Sequence, residues 1–215
     1  LLFVIHILYA LVLTMQNRNA RGADRYAVTS TPKSVEWSSK NMLVLGIVVV
    51  AFMVVHFIQF WYKMQCQEIL GHHFYETAEG IIVPVTAGSA FIHIAFECIW
   101  TPIIYLIGFA ALWLHMNHGF WSMFQSAGWN NTTWLPRLKK ISCAWTTIVI
   151  GLFAIQAVWF SYQAQTGGYL NNVELNEQLT KIYMEELNKK GTSAQEKMRS
   201  ITDEAEKEAL IKEFQ

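Results

Sequence analysis

The first 168 residues of this 215-residue chain contain few charged side chains. Of the 16 basic and 16 acidic residues in the sequence, 7 and 10 lie in residues 169–215. A soluble domain usually has about 25% charged residues, whereas this chain has 15%, with 53% hydrophobic residues and nine tryptophans. The deficit excludes an ordinary soluble domain for residues 1–168 and indicates an integral membrane protein.

Signatures of several other protein classes are missing as well. The net charge is zero, so no basic surplus indicates binding to nucleic acid. The three cysteines, Cys66, Cys98 and Cys143, form no CxxC pair, which argues against a disulfide framework or a zinc site. We find no glycine-rich phosphate loop, no nucleophile triad and no paired carboxylates in the apolar segments.

Four apolar segments predict membrane-spanning helices, which need about 20 residues when complete. They are residues 1–15, 43–62, 90–116 and 141–162. We expect an all-α bundle over residues 1–168, because a single segment in lipid satisfies its backbone only as a helix. Thr101-Pro102 is expected to kink the third segment. Because the chain starts inside an apolar run, we expect residues 1–15 to end a longer helix, preceded by at least one further span.

The charges between these segments predict their orientation. The loops 16–41 and 118–140 are rich in Lys and Arg, whereas loop 63–89 has one Lys and three Glu. The positive-inside rule places the two basic loops in the cytoplasm, and loop 63–89 and the C-terminus outside. The tail, residues 169–215, has apolar residues at helical spacing. It is predicted to be a polar extramembrane helix, either solvated at the membrane surface or docked on a partner.

Histidines are the main ionisable residues inside the apolar segments, where such residues are candidates for function. His6 and His115 each lie about ten residues from the cytoplasmic end of a helix, at a depth of about 15 Å. Two imidazoles at one depth on different helices can hold a metal centre between them, and a haem suits a bundle core. Gly119 lies on the same helix face as His115 and leaves room for a flat macrocycle.

His56 lies deeper, about 22 Å from the cytoplasmic end of its helix, and so belongs to a second, outer layer. Its partner is expected on an upstream helix, because His93 lies near the outer end of its own helix. We interpret His72 and His73 as ordinary surface residues of the outer loop. For each intramembrane histidine taken alone, a hydrogen-bonded packing role is the alternative.

Four stretches of the chain resemble a known family: residues 6–21, 38–46, 55–62 and 115–125. The family is the di-haem cytochrome b membrane-anchor subunit of succinate:quinone oxidoreductases, the succinate dehydrogenases and fumarate reductases with one five-helix anchor, and Bacteroidetes-like members in particular. The last stretch, His-Met-Asn-His-Gly-Phe-Trp-Ser-Met-Phe-Gln, is the most specific. The resemblance covers residues 1–162 and leaves the tail outside.

The resemblance implies two haem b groups and five spans, with one haem-ligating histidine on each of the first four. The family's first span and its histidine would then precede Leu1. The family pattern pairs His6 with His115 for the proximal haem, and the first-span histidine with His56 for the distal haem. Alignment on Gly-Phe-Trp favours His115 over His118 as the ligand, and His118 is then expected beside a haem propionate.

Cationic and polar residues at the cytoplasmic edge could hold the propionates, or could simply reflect the positive-inside rule. They are Arg18, Arg21, Ser38, Ser39 and Lys40. Some family members carry a glutamate two residues before the fourth-span ligand, where this chain has Trp113. Glu97 lies inside the third segment, with its role open between proton exchange with quinone and a hydrogen bond to His93.

The implied activity is electron transfer at the bacterial inner membrane. Electrons would pass between cytoplasmic flavoprotein and iron–sulfur subunits and menaquinone, in succinate oxidation or fumarate reduction. FAD and the iron–sulfur clusters would belong to the partner subunits alone, and the heterotrimer could form a higher oligomer. The alternative is a haem-free membrane transporter or scaffold whose histidines relay protons or serve in packing.

Overall fold

The computed structural model describes residues 1–21, 36–78, 80–129, 131–168 and 171–213, without the side chains of Arg21, Ser193, Ala194 and residues 196–213. The chain is mostly helical. A π-helical segment, Phe57–Cys66, follows the third helix, and strands β1 (Phe74–Glu76) and β2 (Ile82–Pro84) form an antiparallel hairpin. The helices are α1 (Leu2–Arg21), α2 (Trp37–Lys40), α3 (Met42–His56), α4 (Gln67–Ile69), α5 (Gly88–Glu97), α6 (Trp100–Ser126), α7 (Trp134–Gln165) and α8 (Val173–Glu213).

Three helical stretches within the described residues are long and apolar enough to cross a membrane: Met42–Ile69, Trp100–Ser126 and Trp134–Gln165. They overlap the second, third and fourth predicted segments, and they support a membrane protein. The first predicted segment is helical, as α1, but its last turn is polar and it is not among the three stretches. The predicted count of four visible spans is therefore not confirmed.

The third predicted segment, residues 90–116, is divided between two helices instead of being kinked. Helix α5 ends at Glu97, Cys98 has an extended backbone with ψ of 119°, and α6 begins at Trp100. Pro102 then lies in the first turn of α6, where a helix does not need the N–H that proline lacks. The proline therefore favours a helix start at a break in the chain.

The described chain forms two compact units. One comprises Leu1–Phe52 and Ile104–Ile155, and the other comprises Met53–Ile103 and Gln156–Gln215. Within the first unit, Gly108 of α6 faces the ring of Phe52 on α3 so closely that a β-carbon at Gly108 would overlap it. Such glycines allow helix backbones to approach in membrane bundles.

Polar side chains also join α6 and α7 in the first unit. The hydroxyl of Ser142, which is fully buried, donates a 2.6 Å hydrogen bond to the carbonyl of Asn117. The indole of Trp113 donates to the hydroxyl of Thr147 at 3.0 Å. Both bonds connect α6 with α7, and the first is made by a fully buried hydroxyl.

The second unit contains the hairpin and the start of the tail. Phe74 of β1 lies opposite Pro84 of β2, and Glu76 opposite Ile82. Three buried side chains, which we call the outer core, lie between the hairpin and the helices: Val83, Ala87 and Phe91. Half-buried side chains pack around them from β1, the π-helical segment, α5 and α8: Phe60, Met64, Tyr75, Ala90, Ile94, Leu179 and Ile182.

The tail is a helix from Val173 to Glu213, as predicted, and its first half is docked on its own chain. Helix α8 contacts the hairpin, so the tail and loop 63–89 are packed together. The orientation predicted from the loop charges stays a prediction.

Candidate functional site

His6 of α1 and His115 of α6, the two histidines predicted to be partners, lie next to each other in the first unit. Their ring centroids are 6.2 Å apart, and the ring planes are nearly perpendicular, at 84°. His6 is exposed, and His115 is half-buried. The structure therefore brings together the pair whose equal depth was read from the sequence.

The separation of the two rings fits a metal ion between them. An imidazole nitrogen binds a metal ion at about 2 Å, and the ring centroid lies roughly 1 Å behind it, so two axial imidazoles have centroids about 6 Å apart. Within the described ranges, no three His, Cys, Asp or Glu side chains form a metal-binding group. A metal ion held by this pair would therefore need further ligands that are not protein side chains. In a haem, the macrocycle supplies such ligands to the iron.

Two glycines lie near His115. A β-carbon at Gly46 of α3 would lie 3.4 Å from Cε1 of His115, which is a tight contact. Gly119, one turn after His115, has only the end of the Met42 side chain nearby, at 3.9 Å from a β-carbon. The Nδ1 atom of His115 is buried, and the backbone of Met42 is within hydrogen-bonding range of this imidazole. Sequence reasoning singled out Gly119 but missed Gly46, since only the fold places α3 against this ring.

His118 lies in a different environment from His115. It is 9% exposed, and its Nδ1 lies 3.5 Å from a carboxylate oxygen of Glu36. Its ring is also in edge contact with the Trp121 indole, at 4.7 Å between centroids. Lys139 of α7 donates a 2.7 Å hydrogen bond to the other oxygen of Glu36 and lies 4.2 Å from the Trp121 ring centroid. His118 is thus held by a charged cluster, with a cation–π contact at its side.

Glu36 is the anionic centre of this cluster. Burial acts to raise the pKa of its carboxyl, but hydrogen bonds and charges from Lys139 and His118 oppose this and hold the pKa below its ordinary value. The carboxylate is therefore ionised at neutral pH. Sequence reasoning did not find this residue, because a single glutamate in a basic loop is typical of a solvated surface.

The residues predicted to hold propionates all lie in the first unit. Arg18 is exposed on α1. Arg21 ends α1, and its side chain lies outside the described atoms. Ser38, Ser39 and Lys40 lie on the single turn of α2, where Ser38 is half-buried and the other two are exposed. Their proposed role stays a prediction.

His56 is the last residue of α3, and the helix changes to π geometry directly after it. The His56 side chain is exposed, and its ring lies 5.1 Å from the ring of Phe60, one turn further along. π-helical turns are rare and frequently occur at functional sites. On α5, His93 is half-buried, and Glu97 is the exposed last residue. The two roles predicted for Glu97 stay predictions.

His73 is not the ordinary surface residue that the sequence suggested, whereas His72 is exposed as expected. The Nδ1–H of His73 donates to the carboxylate of Glu186 at 2.9 Å, and Glu186 is only 3% exposed. The Thr86 hydroxyl and the Lys189 ammonium donate to its other oxygen, at 3.4 and 2.8 Å. The sequence contained one signal that Glu186 is buried. It lies three residues after Tyr183 and so falls on the same helix face as Leu179 and Tyr183.

The environment of Glu186 favours its charged form. Burial acts to raise the pKa of this carboxyl, but the hydrogen bonds and charges of Lys189 and His73 more than offset it, and the pKa lies below its ordinary value. Buried carboxylates are stable only when they are paired and hydrogen-bonded in this way.

No family model, curated protein or solved structure matches the chain.

Proposed function

We propose that the chain is the di-haem cytochrome b membrane anchor of a bacterial succinate:quinone oxidoreductase. In this proposal it lies in the inner membrane and carries electrons between flavoprotein and iron–sulfur subunits on the cytoplasmic side and menaquinone. The complex works in succinate oxidation or fumarate reduction. FAD and the iron–sulfur clusters belong to the partner subunits, and the anchor does not act on succinate by itself.

The contact between His6 and His115 is the observation that supports this proposal best. The two rings meet in an edge contact with 6.2 Å between centroids, a separation at which two imidazoles could hold one metal ion, and Gly46 keeps the adjacent surface of α3 free of a side chain. The four stretches that resemble the family include both residues.

In this proposal, each part of the first unit has a task at the proximal haem. His6 and His115 would hold the iron, Gly46 lets the His115 ring pack against α3, and Gly119 would leave room for the macrocycle. His118, held by Glu36, would contact a propionate. A haem bound by two imidazoles has no open iron position and supplies one-electron transfer. Further propionate contacts come from the polar edge: Arg18, Arg21, Ser38, Ser39 and Lys40.

His56 is the proposed ligand of the distal haem, paired with the histidine of the family's first span. Its exposed position at the change from α to π geometry supports this assignment, because π-helical turns frequently occur at functional sites.

The proposal is tested by two single substitutions in the purified complex. His115→Ala removes a proposed ligand and should abolish the proximal haem signal in reduced-minus-oxidised absorbance spectra. His118→Ala removes only a neighbour and should keep that signal, although its midpoint potential should change. Retention of the proximal haem in His115→Ala together with its loss in His118→Ala would reverse the ligand assignment.

The rival function, a haem-free transporter or scaffold, gives a different result in the same experiment. It predicts a colourless preparation and no copurifying flavoprotein. A preparation without haem from cells that supply haem would therefore exclude the cytochrome proposal.

A further inference from the structure

The docked half of α8 shares one core with the segment that follows His56. Phe60 of the π-helical segment and Leu179 and Ile182 of α8 all pack against the outer core. The Phe60 ring in turn contacts the His56 ring, with 5.1 Å between the centroids and an angle of 42°. A continuous series of packed side chains therefore connects the tail helix with His56.

Glu186 fastens α8 to the hairpin at the far side of this core. Its carboxylate accepts hydrogen bonds from His73 and Thr86 of the outer loop and from Lys189 of its own helix. Next to it, the rings of Phe74 and Tyr183 meet at 5.4 Å between centroids. Because Glu186 is almost completely buried, undocking would break these bonds together.

The π-helical segment depends on such packing for its geometry. π-helical runs are rare and usually span a single turn, whereas this one has ten residues. Two of its side chains, Phe60 and Met64, pack against the outer core, and Met64 also lies 3.5 Å from the position of a β-carbon on Gly88. The direction of Phe60, and with it the contact to His56, is therefore set by the elements that enclose the outer core.

We propose that the first half of α8, fastened to the hairpin by Glu186, is a positioning element that sets the orientation of the His56 imidazole through Phe60. The inference rests on the proposed function, in which His56 binds the distal haem. It gives the tail, which the family resemblance leaves unexplained, a task at the outer site. Glu186 and Phe60 are positioning residues, because neither would touch the haem iron.

The test uses the full-length chain in its purified complex. Glu186→Ala should release α8, and hydrogen exchange of the hairpin and α8 amides should become about tenfold faster or more, because several buried hydrogen bonds are lost. The low-spin ferric signal of the distal haem in electron paramagnetic resonance should shift, since it depends on the angle between the axial imidazole planes. The proximal haem signal should stay unchanged and serves as the internal reference.

Two further variants separate positioning from stability. Phe60→Leu keeps the apolar contact with the outer core but removes the ring beside His56, so it should shift the distal haem signal without faster exchange in α8. Glu177→Ala changes an exposed carboxylate on the same helix and should change neither readout.

Three outcomes would overturn the inference. Fast exchange in Glu186→Ala with an unchanged distal haem signal would show that α8 has only a structural role. Unchanged exchange in Glu186→Ala would show that Glu186 does not fasten the helix. If the complex without substitutions contained only the proximal haem, His56 would not be a haem ligand. A complex without any haem would refute the proposed function itself.

Discussion

Replacement of Gly108 by alanine tests the closest helix contact in the first unit. A β-carbon at Gly108 would overlap the side chain of Phe52 on the facing helix α3. The Phe52 ring cannot turn away easily, because it is enclosed by the rings of Tyr105 and Phe109, with centroids 5.1 and 5.3 Å away. Gly108→Ala should therefore push α3 and α6 apart.

The size of the effect follows from a comparison with Gly151. A β-carbon at Gly151 of α7 would meet no atom within 4 Å. Both substitutions have the same favourable effect on helix propensity, about 0.5–1 kcal/mol. The difference between the free energies of unfolding of the two variants therefore isolates the cost of overpacking at Phe52, which is about 1–3 kcal/mol. For a chain of this length, about 1 kcal/mol corresponds to about 2–4 °C in Tm.

Thermal unfolding of the two variants in a mild detergent measures this difference. Gly108→Ala should have a Tm about 2–12 °C below that of Gly151→Ala. In a Phe52→Leu background the cost of Gly108→Ala should decrease, because the smaller side chain leaves room, and a double-mutant cycle measures the coupling. Equal Tm values for the two glycine variants would refute the contact between α3 and α6.

Three further predictions concern other contacts. Ser142→Ala should lower the Tm, because the carbonyl of Asn117 loses its buried donor at a cost of about 1 kcal/mol, while Ser126→Ala on the exposed face should leave the Tm unchanged. Gly46→Val should displace the His115 ring and reduce the proximal haem content measured by absorbance, whereas Gly151→Val should retain it. Docking of α8 should be strongest above pH 4.5, the ordinary pKa of a glutamate, and should weaken as the pH falls below it, because the docked state lowers the pKa of Glu186. Hydrogen exchange measured against pH would show this, and Glu186→Gln should lose the dependence.

The sequence predicted the helical class well, because long apolar segments in lipid have few alternatives to a helix. It placed His6 and His115 together, since depth along a straight helix depends only on the number of residues. The polar tail helix was also predicted, from the spacing of its apolar residues. These features share one property: each is local to a single helix or follows from its length.

The features that sequence reasoning missed depend on contacts between distant segments. Glu36 and His118 are in contact but lie 82 residues apart in the sequence, and Glu186 and His73 lie 113 residues apart. Gly46 matters only because the fold places it against His115. The break before Trp100 was mistaken for a kink, because a proline near the middle of an apolar run is compatible with a bend in one helix or with the start of another.

The measurement that tests the central proposal most directly is the haem content of the purified full-length complex. It combines a dithionite-reduced minus oxidised absorbance spectrum with the ratio of haem to this chain. The proposal predicts two low-spin b-type haems per chain. A spectrum without haem would contradict it, and the contact between His6 and His115 would then be one of packing or proton transfer.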